Sequence, residues 1–196
     1  MMIAIVDYNT GNLRSVENAL ERLGCEYVLS DEPSVLVAAD KLILPGVGNA
    51  ADAMMQLRER GLVTVIKSLR RPVLGICVGM QIMCRDSEEG GVECMGIFDS
   101  HVRRFADDPR AKVPHMGWNS IHNLEGKLFR GFDGGEYVYF VHSYAPDLCP
   151  DTIATCTHGE RMFSAALKYE NFYGTQFHPE KSGDIGSRIL RNFVEL

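Results

Sequence analysis

Residues 72–81, PVLGICVGMQ, decide the fold of this chain. An apolar run of strand length leads through Gly75 to Cys77, and a helix is predicted to follow. Glycines two positions before and two after Cys77 allow a sharp turn from strand to helix, which exposes the thiol at the top of a sheet. At the start of a helix, free N–H groups and the helix dipole favour thiolate over thiol. Since a cysteine between glycines is also common in packed cores, chemistry at Cys77 requires a base elsewhere in the chain.

The sequence around this stretch repeats the strand-then-helix pattern. Short apolar runs alternate with stretches whose apolar residues fall at helical spacing. The predicted strands are Ile3–Asp7, Cys25–Leu29, Lys41–Leu44 and Pro72–Ile76, and the predicted helices are the stretch ending at Gly24, Ala50–Arg60 and Leu62–Leu69. Such alternation is typical of parallel strands joined by right-handed crossovers, with helices on both faces of the sheet.

The pattern changes after about residue 95, where short β-like runs are separated by turn residues. These runs are Val102–Phe105, Tyr137–Val141, Ile153–Thr157, Ala165–Tyr169 and Phe172–Gln176, and a last helix is predicted at Ile185–Val194. The sequence therefore predicts an α/β protein with a central, mostly parallel sheet and a smaller antiparallel β portion in its second half. A chain of 196 residues without a linker or repeat is expected to form one domain, residues 1–196.

Composition limits the possible functions. The formal net charge of −6 argues against nucleic-acid binding, and no apolar run approaches the length of a membrane span. The opening MMIAIVD is predicted to be a strand rather than a signal peptide. Six scattered cysteines without zinc-site spacing are expected to be reduced thiols in a cytoplasm, with no metal and no cofactor. Cys84 is predicted to pack in the core, on a helix face similar to that of Cys77.

His178-Pro179-Glu180 supplies a base for Cys77. The residue before a proline is driven into extended geometry, where side chains two positions apart leave on the same side. Glu180 is therefore predicted to bind one ring nitrogen of His178 while the other nitrogen faces Cys77. This is the nucleophile–base–acid arrangement of the serine triads with a thiol as nucleophile.

A third motif, Pro45-Gly46-Val47-Gly48, follows a predicted strand. Its glycines allow the backbone to approach a substrate and to present N–H donors to an oxyanion. A plain strand-to-helix turn is the simpler interpretation of these residues taken alone. A phosphate-binding loop is disfavoured, because no Gly-Lys-Ser/Thr follows.

Together the motifs PGVG at 45–48, GICVGMQ at 75–81 and HPE at 178–180 resemble those of the class I glutamine amidotransferases. The resemblance extends to DYNTGN at 7–12, HMGWN at 115–119, YFVHSY at 139–144 and FHPEKSG at 177–183. It implies a flavodoxin-like fold. Among the subfamilies, the combination is similar to the glutaminase subunits of imidazole glycerol phosphate synthase. Those subunits work in histidine biosynthesis as heterodimers with a (β/α)₈-barrel cyclase.

The resemblance also implies roles for individual residues. Cys77 would attack the side-chain amide of L-glutamine, with His178 and Glu180 completing the triad, and ammonia would pass to the cyclase. The remaining roles fall into three groups, namely oxyanion binding by Val78, Val47 and Gly48, substrate binding by Gly46, Gln81, Ser143 and Tyr144, and cyclase contact by Asn12, Trp118 and Lys181. The chain departs from the family at Asn49-Ala50, where a bulkier apolar residue often takes the second position.

Two alternatives remain open at this point. The chain could be the glutaminase of another synthase, such as anthranilate synthase or an enzyme of surface-polysaccharide synthesis, and the triad does not separate these. It could instead be a non-catalytic regulatory subunit, although the intact Cys77, His178 and Glu180 argue against that. Glutaminase activity is expected to be low without the partner. The other five histidines are interpreted as surface or hydrogen-bonded structural residues.

Overall fold

The fold is built around a seven-stranded sheet. The computed structural model describes residues 1–9, 13–109 and 111–196. The strands are β1 (Met2–Val6), β2 (Glu26–Ser30), β3 (Lys41–Leu44), β4 (Val73–Ile76), β5 (Asp86–Ser87), β6 (Val92–Glu93), β7 (His101–Arg104), β8 (His115–Ile121), β9 (Glu136–His142), β10 (Tyr144–Pro146), β11 (Thr152–His158), β12 (Arg161–Tyr169) and β13 (Phe172–Thr175). The helices are α1 (Leu13–Arg22), α2 (Pro33–Ala38), α3 (Ala50–Glu59), α4 (Leu62–Ser68), α5 (Val78–Gln81) and α6 (Gly183–Val194), with 3₁₀ turns at Lys127–Phe129 and Pro179–Lys181.

The strand order in the main sheet is β11-β12-β13-β4-β3-β1-β2. The five strands from β13 to β2 pair in parallel, while β12 runs antiparallel to both of its neighbours. The chain moves outward from β1 to β2 and then crosses back to β3, so the strand order reverses at β1. Right-handed crossovers on the two sides of such a reversal place α1 on one face and α2, α3 and α4 on the other.

The apolar patterns explain why these elements form. Strands β3 and β4 are buried at every position, as expected for central parallel strands covered on both faces. Helix α1 buries Val16, Ala19 and Leu20, which recur at helical spacing and form its core-facing stripe. Within the described residues, no helix combines the length and apolar character that a bilayer crossing requires.

The predicted α/β architecture is confirmed, and its second half is more varied than the sequence indicates. Strands β11 and β12 extend the main sheet, while β10-β7-β5-β6 and β8-β9 form two smaller sheets. The strand predicted at Ala165–Tyr169 begins earlier, at Arg161, because a tight turn at Gly159 pairs its first residues with β11. Strand β8 was not predicted, since its glycine and polar residues dilute the alternation, and its ladder with β9 stabilises it.

The helix predicted after Cys77 is shorter than expected. Helix α5 spans only four residues, and 3₁₀-type hydrogen bonds from Met83 N to Met80 O and from Cys84 N to Gln81 O close the chain after it. Cys84 is buried in the core as predicted but lies beyond the helix, so it shares no helix face with Cys77. One helical turn also carries little macrodipole, because the dipole sums over aligned peptide units.

Candidate active site

The carboxyl ends of β3, β4 and β13 converge on one small pocket. Cys77 directly follows β4 and adopts a positive φ of 54°, which is unusual for a residue with a side chain. A Cβ atom on Gly75 would lie 2.7 Å from the carbonyl oxygen of Gly79, and one on Gly79 would overlap the carbonyl oxygen of Leu44. Both glycines flanking Cys77 are therefore required by close backbone packing, which holds the thiol at the mouth of the turn.

His178 and Glu180 form a buried pair on the neighbouring chain segment. The Nδ1 atom of His178 lies 2.8 Å from Oε1 of Glu180, and both side chains are about 1% exposed. The backbone of His178 is extended, but Pro179–Lys181 forms a 3₁₀ turn, so the turn and not an extended segment brings Glu180 back to the ring. The Ser182 hydroxyl donates to the carbonyl of His178 at 2.7 Å and holds this turn closed.

The electrostatics of His178 favour its charged form. Burial alone would lower the pKa of this imidazole, but the facing Cys77 thiolate and the Glu180 carboxylate more than offset it and raise the pKa of His178 to about 10. Because Nδ1 is bound to Glu180, Nε2 is the nitrogen left to exchange a proton with Cys77. The pair can therefore hold thiolate and imidazolium side by side.

The turn after β3 forms the second wall of the pocket. A Cβ on Gly46 would lie 2.8 Å from atoms of Val78, so this turn packs directly on the segment after Cys77. The fully buried hydroxyl of Tyr8 donates to the carbonyl of Pro45 at 2.6 Å and anchors the start of the turn. Gly48 has a φ of +96°, a conformation that side chains disfavour.

The pocket has a volume of about 180 Å³. It is lined by Val47, Gly48, Cys77, Val78, Gln81, Glu89, Val141, His142, Ser143, Tyr144 and His178. The pocket therefore brings together the predicted nucleophile, base and oxyanion residues, and Glu180 binds the base from behind. It also brings in three of the four predicted substrate-binding residues. The fourth, Gly46, lies one layer deeper, against the Val78–Gly79 backbone, and is not among the lining residues.

Gln81 uses its amide N–H groups inside the protein. Its Nε2 donates to the carbonyl of Tyr144 at 2.8 Å and to Oε1 of Gln176 at 3.0 Å. Both amide hydrogens are therefore occupied, and only its carbonyl oxygen remains for a ligand. A role of Gln81 toward a substrate is thereby restricted to accepting a hydrogen bond.

Three polar residues of the site were missed in the sequence. Glu89 lines the pocket, and its carboxylate accepts from the backbone N–H of Ala50 at 2.8 Å. Desolvation raises the pKa of Glu89, against the opposing effect of that hydrogen bond. His142 also lines the pocket, and Gln176 lies beneath Cys77. Glu89 lies in a turn without periodicity and His142 ends a strand, so neither carried a local signal in the sequence. Gln176 did carry one, because it is a polar residue at the end of an apolar strand.

A cluster of exposed apolar side chains covers the β8–β9 sheet. Met116, Trp118 and Tyr137 are 63%, 55% and 61% exposed. The carbonyl of the neighbouring Tyr139 accepts from the backbone N–H of His178, so this apolar surface of Met116, Trp118 and Tyr137 lies behind the His178–Lys181 turn. Lys181, at the end of that turn, is also exposed. The remaining candidate for partner contact, Asn12, lies outside the described residues.

Comparisons with known proteins show the family to which this chain belongs. The family model for class I glutamine amidotransferases matches residues 4–196. The chain belongs to the class I glutamine amidotransferase family. Imidazole glycerol phosphate synthase subunit HisH from Bacteroides fragilis strain YCH46 is 57% identical to this amidotransferase over 199 residues, covering all of both chains. The subunit of the same name from Escherichia coli K12 is 50% identical over 198 residues, again over both full lengths.

Solved structures show the same fold at lower identity. A putative GMP synthase component from Thermoplasma acidophilum superposes on this amidotransferase with a TM-score of 0.77. It is 24% identical, and the superposition covers 100% of this chain and 92% of the other. At that identity the likeness establishes the fold alone.

Proposed function

We propose that this amidotransferase is the glutaminase subunit of an imidazole glycerol phosphate synthase. It hydrolyses L-glutamine to glutamate and ammonia and passes the ammonia to a (β/α)₈-barrel cyclase in histidine biosynthesis. The observation that carries the proposal is the pocket that joins Cys77 to the buried His178–Glu180 pair, in a chain that aligns end to end with HisH relatives. All six cysteines are free thiols, which supports a cytoplasmic setting.

The first half of the reaction forms a thioester. His178 takes the proton of the Cys77 thiol at Nε2, and the sulfur attacks the side-chain amide carbon of glutamine. The N–H of Val78 and the Val47–Gly48 turn face the pocket where the oxyanion develops. The proton on His178 then passes to the leaving nitrogen, so that ammonia departs and a glutamyl thioester remains on Cys77.

Water completes the cycle. His178 accepts a proton from a water molecule, which attacks the thioester carbon, so that the C–S bond breaks and glutamate is released with Cys77 left as a thiolate. Return of the proton from His178 to the sulfur restores the starting thiol. Glu180 stays ionised throughout and holds the imidazole through Nδ1. The raised pKa of His178 in the free enzyme favours transfer of the Cys77 proton to Nε2 in the first step.

Glutamine recognition is assigned to groups around the pocket mouth. The Glu89 carboxylate and the free carbonyl oxygen of Gln81 are acceptors for the substrate's α-ammonium group. The backbone at Ser143 and Tyr144 lines the same end of the pocket. Gly46 acts through the backbone packing that shapes the oxyanion turn, with no direct contact to the substrate.

The cyclase is assigned to bind at the apolar surface of Met116, Trp118 and Tyr137, with Lys181 beside it. Trp118→Ala is expected to weaken cyclase binding by about tenfold or more, because aromatic anchors dominate interface energies. Titration of the cyclase by calorimetry measures this. Tyr169→Ala, an exposed aromatic on β12, is the matched control and should leave the affinity unchanged. Equal effects of the two substitutions would remove the assignment.

The deciding experiment is glutamate release from glutamine, with and without a cognate cyclase and its ribulosyl ligand. Strong stimulation is expected. Turnover that ignores the cyclase would retain the glutaminase but assign its ammonia to another synthase. No turnover in a complex shown to form would indicate a regulatory subunit. Cys77→Ala should abolish glutamine use while the cyclase still works on free ammonium.

A further inference from the structure

The side chain of Gln176 lies against the reacting sulfur and has no role in the mechanism above. We propose that Gln176 is a further catalytic residue, whose amide N–H donates a hydrogen bond to Cys77 Sγ and stabilises the thiolate before it attacks glutamine. The inference rests on the proposed glutaminase function, because it concerns the nucleophile of that reaction. Four observations support it: the contact, the orientation of the amide, the bracing of that orientation and the shortage of other stabilising groups.

The contact is built into the sheet. Nε2 of Gln176 lies 3.6 Å from Sγ of Cys77, within hydrogen-bonding range for a sulfur acceptor. Strands β4 and β13 pair in parallel with Ile76 opposite Thr175, so the next residues along, Cys77 and Gln176, leave the sheet side by side. The Gln176 side chain is fully buried, and the backbone N–H of Gln176 donates to the carbonyl of Ala165 at 2.8 Å. The amide is therefore held at the sulfur by backbone pairing on both sides.

The orientation of the amide follows from its partners. The carbonyl of Tyr144 can only accept, so the group that Gln81 presents to it at 2.8 Å must be its NH₂. The second hydrogen of that NH₂ reaches Oε1 of Gln176 at 3.0 Å. With its oxygen thus occupied, Gln176 must turn its own NH₂ toward the sulfur. The reverse orientation would set two NH₂ groups against each other and leave a carbonyl oxygen facing a thiolate.

The carbonyl of Tyr144, at the far end of this series of hydrogen bonds, is also anchored. Nδ1 of His142 lies 2.8 Å from the same Tyr144 carbonyl, which therefore accepts two hydrogen bonds. A carbonyl braced from two sides fixes Gln81, and Gln81 in turn fixes Gln176. Linked hydrogen bonds of this kind polarise one another in a buried site. The N–H that reaches Cys77 is thus preorganised and needs no rearrangement when the thiol ionises.

Apart from the His178 imidazolium that faces it, a thiolate at this position has few other sources of stabilisation. Cys77 is 4% exposed, so solvation by water is limited, and the helix that follows it is one turn long. The remaining protein hydrogen bond of its sulfur in the described residues runs to the carbonyl of Val141 at 4.0 Å, which a thiol can use but a thiolate cannot. When the thiol proton moves to Nε2 of His178, the amide N–H of Gln176 stays on its nitrogen and its bond to the sulfur becomes charge-assisted.

The test is the pH dependence of Cys77 alkylation by iodoacetamide, followed on the Cys77 peptide by mass spectrometry. Gln176→Met keeps the length of the side chain but removes the donor. The midpoint of the rate-against-pH curve is expected to move up by about one pH unit. Thr175→Val is the matched control, because it alters the adjacent buried residue of β13 and removes a hydroxyl that makes no hydrogen bond in the described structure. Its midpoint should equal that of the unsubstituted protein.

A second variant keeps the test decisive if Gln176→Met does not fold. Gln176→Glu retains the acceptor toward Gln81 but presents a carboxylate oxygen to the sulfur, so its midpoint should rise further than that of Gln176→Met. Unchanged midpoints in the folded variants would overturn the proposal. Alkylation needs neither glutamine nor the cyclase, so this outcome is distinguishable from failure of the proposed glutaminase function.

Discussion

Two buried histidine sites, His178 and the His115–His142 pair, lie at the pocket, and their pKa values are shifted in opposite directions. The pKa of His178 is raised to about 10, whereas the pKa of His115 is lowered to about 4 and that of His142 is also lowered. Desolvation acts downward on all three. Only His178 faces anions, namely the Cys77 thiolate and the Glu180 carboxylate, while His115 and His142 have neutral partners.

The difference shows that burial alone does not decide the state of a histidine. In the neutral pair, Nδ1 of His142 donates to the Tyr144 carbonyl at 2.8 Å, so its Nε2 must accept from Nδ1 of His115 at 3.0 Å. The remaining nitrogen of His115 accepts from Asn119 at 3.1 Å. This series of hydrogen bonds forms only when both imidazole rings are neutral, because each ring must accept one hydrogen bond through a nitrogen lone pair. His178 is thus suited to hold a charge and to exchange a proton, while the His115–His142 pair holds the Tyr144 backbone in place.

Replacing His178 is expected to have the largest effect on glutamine turnover. His178→Asn is expected to lower glutamine turnover in the cyclase complex by about 10⁴-fold, since no group remains to accept the thiol proton. His142→Asn should cost less than about tenfold, because an asparagine NH₂ can replace Nδ1 as donor to the Tyr144 carbonyl. Glutamate release measures both. Losses of similar size would contradict the separation of roles.

Removing one anion tests the cause of the raised pKa. Glu180→Gln is expected to lower turnover by up to about 10⁴-fold, because the imidazolium loses its carboxylate partner and the tautomer is no longer fixed. The pKa of His178 should fall in the same variant. Histidine side-chain NMR measures the pKa, and His115 serves as an internal reference. A pKa that stays near 10 would show that Cys77 alone raises it.

Removing the other anion sharpens the same point. In Cys77→Ala, desolvation of His178 remains while the facing thiolate is lost, so the pKa of His178 is expected to fall by at least about one unit. His178 is then protonated over a narrower pH range that ends earlier on the alkaline side. The pKa of His115, near 4, should not move. A simultaneous shift at His115 would mean that the substitution disturbs the whole pocket.

The smallest effect on turnover is expected at Asn119, the outer end of the hydrogen-bond series through the neutral His142 and His115. Asn119→Ala removes the donor to His115 and to the carbonyl of Thr157, which should lower the free energy of unfolding by about 2 kcal/mol and leave the turnover number nearly unchanged. Urea unfolding measures the loss. Ser120→Ala is the control on the same strand, since its hydroxyl contact with His122 is exposed and should contribute little. A large loss of turnover in Asn119→Ala would mean that the neutral His115–His142 pair takes part in the chemistry.

Some features of the site could be predicted because they are local. The glycines around Cys77 and the spacing of His178 and Glu180 are properties of short segments, and the structure brings these three side chains together at one site. The geometry that joins His178 to Glu180 was nevertheless predicted wrongly. The contact was expected from an extended segment, whereas a 3₁₀ turn makes it, since the proline leaves the following backbone free to turn.

The sequence by itself determined the strand–helix alternation, the parallel sheet and the sharp turn at Cys77, because periodicity and glycine placement act over a few residues. Only the tertiary structure decided which distant side chains meet at the sulfur. Gln176 reaches Cys77 across 99 positions, and Gln81 reaches Tyr144 across 63. Those contacts depend on the register between β4 and β13 and on the packing of the β10-β7-β5-β6 sheet, which carries Tyr144. Pairing between distant segments leaves no mark on either segment alone.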